Sequence, residues 1–258
     1  MKLHFNKTGA GQPLIILHGL FGSGDNWTTF ARNMVSHGFT VYMVDLRNHG
    51  RSGWDTLHNY QVMAADVNEL IDAEQLQHAV VLGHSMGGKV TMQLAVDFPG
   101  SVEKIIVADI GPQHYEPHHQ QIIKGLQSFD FNKIKTRGEA EQQLSLYIDD
   151  IGTRQFLLKN LYWKTDTELA FRFNLDVLSE QIEEVGKEIT SSQPILTPAL
   201  FIGGEKSDYL KATDHQQIKQ LFPNSEIISI PGAGHWIHAD QPALLMEAVL
   251  KFIQTPEL

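Results

Sequence analysis

Residues 80–88 read Val-Val-Leu-Gly-His-Ser-Met-Gly-Gly. A short apolar run enters a Gly-x-Ser-x-Gly turn, and a helix-like pattern leaves it. Such a chain passes from extended to helical backbone within about one residue, which pushes the serine hydroxyl out at the carboxyl end of a sheet. Glycine at positions 83 and 87 suits that turn, because larger side chains would collide with the strand and helix on either side. At roughly 7% glycine usage the bare pattern arises by chance in about one chain in ten of this size. Its place between a strand and a helix therefore carries the weight. Ser85 is the candidate nucleophile, and a serine hydroxyl needs a base to take its proton.

The rest of the chain repeats the strand-then-helix alternation. Leu14–Leu17, Phe39–Val44, Ala79–Leu82, Ile105–Ala108, Ala199–Ile202 and Ile227–Ile230 are short apolar runs rich in branched residues, and Met1–Phe5 reads as a further short strand. Runs that are apolar on both faces suit a parallel sheet covered on both sides. Amphipathic stretches lie near 26–36, 60–73, 87–97, 212–221 and 241–254, the last with Pro242 at a tolerated position near its start. The pattern predicts an α/β fold with a doubly wound, mostly parallel central sheet. It breaks between Pro112 and Gln193, where the chain is polar, helical in tone and free of buried-strand runs. Residues 1–111 and 194–258 are expected to form the core, and residues 112–193 an inserted helical cap over the carboxyl ends of the strands.

A length of 258 residues suits one large α/β domain of this kind. The net charge of −10 argues against nucleic acid as a partner and offers no long-range attraction to anionic substrates. The absence of cysteine excludes a disulfide frame and a cysteine nucleophile. No apolar run approaches the roughly 18 residues of a membrane span, and the first residues lack the apolar core of a signal peptide. A cytoplasmic location is the expectation.

The base should sit on a loop after a late strand. After Ile227–Ile230 the sequence Pro231-Gly232-Ala233-Gly234-His235-Trp236 forms a small-residue loop able to bring an imidazole to Ser85. His235 is the expected base and His238 its nearest rival. His84 adjoins the nucleophile and is expected to shape the turn or the pocket floor. Acyl-transfer chemistry also needs donors for an oxyanion. The amide of Met86 is one, and the glycine-containing turn after Leu17 supplies the second, from Leu20 with Phe21 next.

His18-Gly19, Asp45-Leu46-Arg47-Asn48-His49-Gly50-Arg51-Ser52, the Ser85 turn and Gly234-His235 follow one another in an order that resembles the α/β-hydrolases. The closer resemblance is to the YbfF-type bacterial esterases and their ABHD11-like relatives. It is carried by His18-Gly19-Leu20-Phe21-Gly22-Ser23, Arg47-Asn48-His49-Gly50, Gly83-His84-Ser85-Met86-Gly87-Gly88-Lys89, Asp109-Ile110-Gly111-Pro112 and Ala233-Gly234-His235-Trp236-Ile237-His238. The resemblance implies hydrolysis of short-to-medium acyl esters or acyl-CoA thioesters, small-molecule substrates that need no metal or organic cofactor. The acid that orients the base has three candidates. The usual superfamily position, in Gly203-Gly204-Glu205-Lys206-Ser207-Asp208, holds Ser207, with Asp208 one step late. The resemblance favours Asp109, at the end of the strand after the nucleophile strand, and Asp176 in the cap is the third candidate.

Other polar residues carry plainer expectations. Asp45 and Arg47 should brace their loop. Lys89 should face solvent or meet an anionic part of a substrate, and His118-His119 should lie in a solvated loop. Phe129, Phe131, Leu157, Leu158, Leu161, Tyr162, Trp163, Phe171 and Phe173 should mainly bury the cap, with a few reaching ligand.

Overall fold

The computed structural model describes residues 1–255. In chain order its elements are β1 (His4–Gly9), β2 (Gln12–Leu17), α1 (Thr28–Val35), β3 (Phe39–Asp45), α2 (Tyr60–Ala73), β4 (Val80–His84), α3 (Met86–Asp97) and β5 (Lys104–Ala108). Then come α4 (Gln120–Gln127), α5 (Arg137–Ser145), α6 (Ile151–Leu158), β6 (Leu161–Trp163), β7 (Leu169–Phe171), α7 (Leu175–Glu180) and α8 (Ile182–Gly186). The chain closes with β8 (Ala199–Gly204), α9 (His215–Leu221), β9 (Ser225–Ile230), α10 (Ile237–Asp240) and α11 (Pro242–Gln254). The first strand starts later than the sequence reading placed it, pairing His4 with Asp45 through Gly9 with Thr40.

Seven strands form one sheet in the order β1-β3-β2-β4-β5-β8-β9. Only β1 runs antiparallel to its neighbour; the other strands are parallel. Because side chains alternate along a strand, each buried strand feeds both faces. Ile15, Leu17 and Val81 pack with α2 and α3 on one face. Leu14, Ile16, Val80 and Leu82 pack with α1 and α11 on the other. The chain leaves β2 to build β3 on one side and returns to build β4 on the other. The crevice outside the carboxyl ends of β2 and β4 is thus the switch point where ligands settle in open α/β sheets. Among the described residues no helix is long and apolar enough to cross a membrane.

The segment between β5 and β8 holds five helices and one feature that departs from the helical expectation. β6 and β7 pair antiparallel, with Leu161 opposite Phe171 and Trp163 opposite Leu169. Strands of three residues are too short to show a period of two. Phe171 packs against Phe129 at 5.0 Å and Phe173 at 4.9 Å between ring centroids, and Phe173 reaches Phe21 at 5.1 Å. These aromatics join the segment to the sheet in one apolar cluster.

Lys89 overturns its expectation. It is fully buried on α3, in a helix whose residues Met86–Ala95 are all buried. Its ammonium donates to the carbonyls of Pro112 at 3.0 Å, Lys187 at 2.8 Å and Gln113. Both ends of the segment are thereby tied to the helix that starts at Ser85. Burial pushes the ammonium down to about 7, while three carbonyl dipoles favour the charged form.

The loop after β3 braces the early turn, as expected for Asp45 and Arg47. Arg47 grips buried Asp66 through Nε at 2.6 Å and Nη2 at 2.9 Å. Asp45 accepts from the amides of Gly24 at 2.8 Å and Arg51 at 2.9 Å. His49 donates from Nδ1 to the Arg47 carbonyl at 2.9 Å and accepts the Phe21 amide at Nε2, 3.2 Å away. Behind it lies His58, buried, with neither ring nitrogen paired. Burial, reinforced by nearby Arg47, lowers His58 to about 4.

Two outcomes follow from this packing. Lys89→Met leaves three buried carbonyls without their donor and should lower stability by about 2 kcal/mol, with faster proteolysis within residues 112–193; an unchanged urea midpoint would contradict the tether. His58 binds its proton near 6.5 when unfolded and only near 4 when folded. The unfolded state therefore holds more protons in that window, and stability falls as pH drops through it, by about 1.4 kcal/mol per pH unit for one such group. His58→Phe should flatten the urea-midpoint profile between those values, and a slope identical to wild type would contradict a neutral buried His58.

Candidate active site

Ser85, Asp109 and His235 each stand just past the carboxyl end of a strand, β4, β5 and β9. Ser85 follows β4 with φ 53° and ψ −119°, a left-handed backbone that costs a non-glycine residue about 1–3 kcal/mol. The strain is held from both sides. The Ser85 amide donates to Ala108 at 2.9 Å, and the Ser85 carbonyl accepts from Lys89 at 3.1 Å. The two glycines of the motif answer close approaches. A Cβ at Gly83 would lie 2.1 Å from the Gly87 carbonyl oxygen, and one at Gly87 would lie 2.3 Å from that of Leu17.

Ser85 and His235 line the same cavity of about 440 Å³. His235 Nδ1 lies 2.7 Å from Asp109 Oδ2. Asp109 follows β5, is wholly buried and also has a left-handed backbone, with φ 52°. Its Oδ1 accepts the Gly204 amide at 2.9 Å, and its Oδ2 also accepts the Ser207 hydroxyl. A carboxylate accepts only, so His235 carries a proton on Nδ1, and in the neutral ring Nε2 is then the nitrogen with the lone pair. The Tyr209 ring stacks on the imidazole at 4.1 Å, and His84 Nε2 donates to the His235 carbonyl at 2.8 Å. Burial, with His235 and His238 close by, holds His84 well below the usual histidine range.

The rival positions fall elsewhere. Asp208 is 94% exposed and pairs with Lys211 at 2.9 Å. Asp176 is exposed in the first turn of α7. His238 lines the cavity but stacks on Trp27 at 4.4 Å, and its Nδ1 has no partner. Burial lowers it to about 4.

The amides of the two expected oxyanion donors are both unengaged among the described residues. Met86 opens α3, so its amide has no partner within the helix. Phe21, the second choice for the other donor, has its amide engaged by His49. The Gly19 carbonyl accepts from His18 Nδ1 at 2.8 Å and from the Gly22 amide at 2.9 Å. In a trans peptide the Leu20 N–H points opposite to that carbonyl. His18 Nε2 accepts the Leu46 amide at 3.0 Å, which fixes the ring as a neutral tautomer. Among the described residues, the Leu20 and Met86 amides have no hydrogen-bond partner within the protein.

Sequence reasoning missed four supports. Ser207 was legible only as the wrong residue in an acid position, yet its hydroxyl holds Asp109. Gly204 contributes a backbone donor to the same carboxylate, and Tyr209 and His84 hold His235 at its ring and its carbonyl. The His118-His119 pair lies in a loop with His118 exposed, as expected, but both residues also line the cavity. His118 Nε2 meets the Tyr209 hydroxyl. Of the nine apolar cap residues named above, Leu157 alone lines this cavity, together with Phe156, which was not among them. Among the described residues no three His, Asp or Glu side chains gather as a metal site.

Comparison with known proteins agrees with this architecture. A family model described as "alpha/beta hydrolase fold" matches residues 12–134. The sn-1-specific diacylglycerol lipase ABHD11 of Xenopus laevis is 36% identical over 255 residues, covering 95% of this chain and 80% of that protein. Esterase YbfF of Escherichia coli is 35% identical over 260 residues, covering 98% of this chain and 99% of that protein. A solved marine microorganism esterase superposes with a TM-score of 0.94 at 44% identity, covering 97% of this chain and 99% of that one. With a strained serine turn, a buried carboxylate-held imidazole and relatives matched along nearly the whole chain, this protein belongs to the α/β-hydrolase family.

Proposed function

We propose that the protein is a serine hydrolase of carboxylic esters, with Ser85 as nucleophile, His235 as general base and Asp109 as the acid that orients it. The observation that carries the reading is the 2.7 Å contact from His235 Nδ1 to a buried carboxylate, on an imidazole that shares its cavity with a strained serine. His235 Nε2 takes the Ser85 proton as Oγ attacks the acyl carbonyl. The Leu20 and Met86 amides receive the oxyanion. The leaving alcohol takes the proton from His235 as its bond to carbon breaks. Water then enters, His235 accepts its proton, and the acyl-enzyme is hydrolysed. Asp109 stabilises the imidazolium formed in each half-reaction. Every step is supplied by protein groups and water.

The segment 112–193 acts in this reading as a cap. His118, His119, Thr153 and Phe156 from it wall the cavity, and the Lys89 tether holds it there. Esters are the substrate class supported by the esterase and lipase relatives. Thioesters, including acyl-CoA, follow the same chemistry with a thiol as leaving group.

Ser85→Ala should abolish ester turnover with an unchanged circular dichroism spectrum. Asp109→Asn should lower kcat by roughly 10,000-fold, because an amide cannot hold the productive tautomer. Asp208→Asn should leave kcat within a factor of two, as expected of an exposed pair worth about 1 kcal/mol or less. Near-native turnover by Ser85→Ala, or equal losses at Asp109 and Asp208, would contradict the reading.

A further inference from the structure

Two hollows meet at Ser85. The larger, of about 440 Å³, has His235 and Trp236 in its wall. The smaller, of about 30 Å³, has Tyr60, Met86, Ile110, Ile182 and Val185 on its apolar side and Tyr115 and Glu116 on its polar side, and His235 is not part of it. Leu20, Ser85, His118, His119 and Tyr209 border both.

The reacting carbon carries four substituents at the tetrahedral stage. Ser85 Oγ is one, and the oxyanion facing the Leu20 and Met86 amides is the second. The leaving oxygen is the third, and it must receive the proton that Ser85 gave to His235. It therefore belongs in the hollow that His235 lines. The acyl chain is the fourth and is left with the hollow that His235 does not reach. We infer that the small hollow lined by Ile182 and Val185 is the acyl subsite, that it admits only short acyl groups, and that the large hollow takes the leaving alcohol and then the hydrolytic water. The inference rests on the triad reading above and deepens it.

Room and rigidity set the limit. A water-sized group needs about 10–15 Å³ of such space, so the small hollow holds two or three methyl-sized groups beyond the carbonyl. Its walls are tied rather than loose. The Tyr60 hydroxyl donates to the Val185 carbonyl. The Lys187 carbonyl beside it is held by Lys89. The backbone at Gly186 is packed so closely that a Cβ there would lie 2.2 Å from the Tyr115 carbonyl oxygen. The large hollow offers Trp27, Phe156 and Trp236 to an apolar alcohol. The bonds balance in this arrangement. The carbonyl π bond opens to the oxyanion as the carbon–Oγ bond forms, the C–O bond to the alcohol breaks as the oxyanion collapses, and the Ser85 proton leaves on the alcohol by way of His235. Water repeats the path in reverse from the vacated side.

The test is a pair of ester series on the wild-type protein. Along p-nitrophenyl acetate to octanoate, kcat/KM should fall at least 100-fold beyond butyrate. Along acetates from methyl to naphthyl, it should vary less than tenfold. The Ile182→Ala/Val185→Ala double variant should raise the octanoate-to-acetate ratio at least tenfold, with folding checked by circular dichroism. A flat acyl series, a steep alcohol series, or a ratio the double variant does not move would overturn the assignment. Those failures are distinct from failure of the triad reading, in which no ester is turned over or Ser85→Ala retains activity; the subsite assignment would then fall as well.

Discussion

The contact between His235 and Asp109 joins residues that stand 126 positions apart in the chain, and the rest of the site is arranged around it. It engages the imidazole at Nδ1 and leaves Nε2 without a partner among the described residues. The carboxylate in turn depends on the Gly204 amide and the Ser207 hydroxyl, which occupy it from the loop after β8. The contact therefore stitches together the ends of β5, β8 and β9, and the parallel register of those strands places all three loops on the same rim.

Much of this was legible from residue order. The Ser85 turn, the six apolar runs and the Gly234-His235 loop each carry a local signal, since a strained turn demands glycine neighbours and a buried parallel strand demands apolar residues on both faces. The acid was less legible. The order of residues showed a serine at the usual acid position and an aspartate ending the adjacent strand, but only the fold sets that serine on the aspartate and the aspartate on the imidazole. Lys89 was misread because a lysine early in a helix usually meets water. Its burial follows from α3 being covered on every side, and its role from three carbonyls supplied by residues 112, 113 and 187. The β6–β7 hairpin was missed for want of length, and the His118-His119 pair because a polar doublet looks the same on a solvated loop as on a cavity wall.

Imidazoles cluster around the cavity, and His18, His84 and His238 line it. His18, His49, His58, His84 and His238 are all shifted downward by burial. Three of them use the neutral form directly: His18 and His49 each donate from one ring nitrogen and accept at the other, and His84 donates to the carbonyl of the base. A neutral ring can brace two backbone groups without placing a positive charge beside His235. The chain thus uses histidine to position backbone, which makes counting histidines a poor guide to a candidate base and makes their partners a good one.

The most direct measurement of the central claim is covalent trapping with a serine-directed fluorophosphonate, mapped by peptide mass spectrometry in wild type and in His235→Ala. The account predicts one adduct, on Ser85, formed rapidly in wild type and slowed at least 1,000-fold without the imidazole (about 4 kcal/mol of activation). An adduct on another residue, or a labelling rate indifferent to His235, would contradict it.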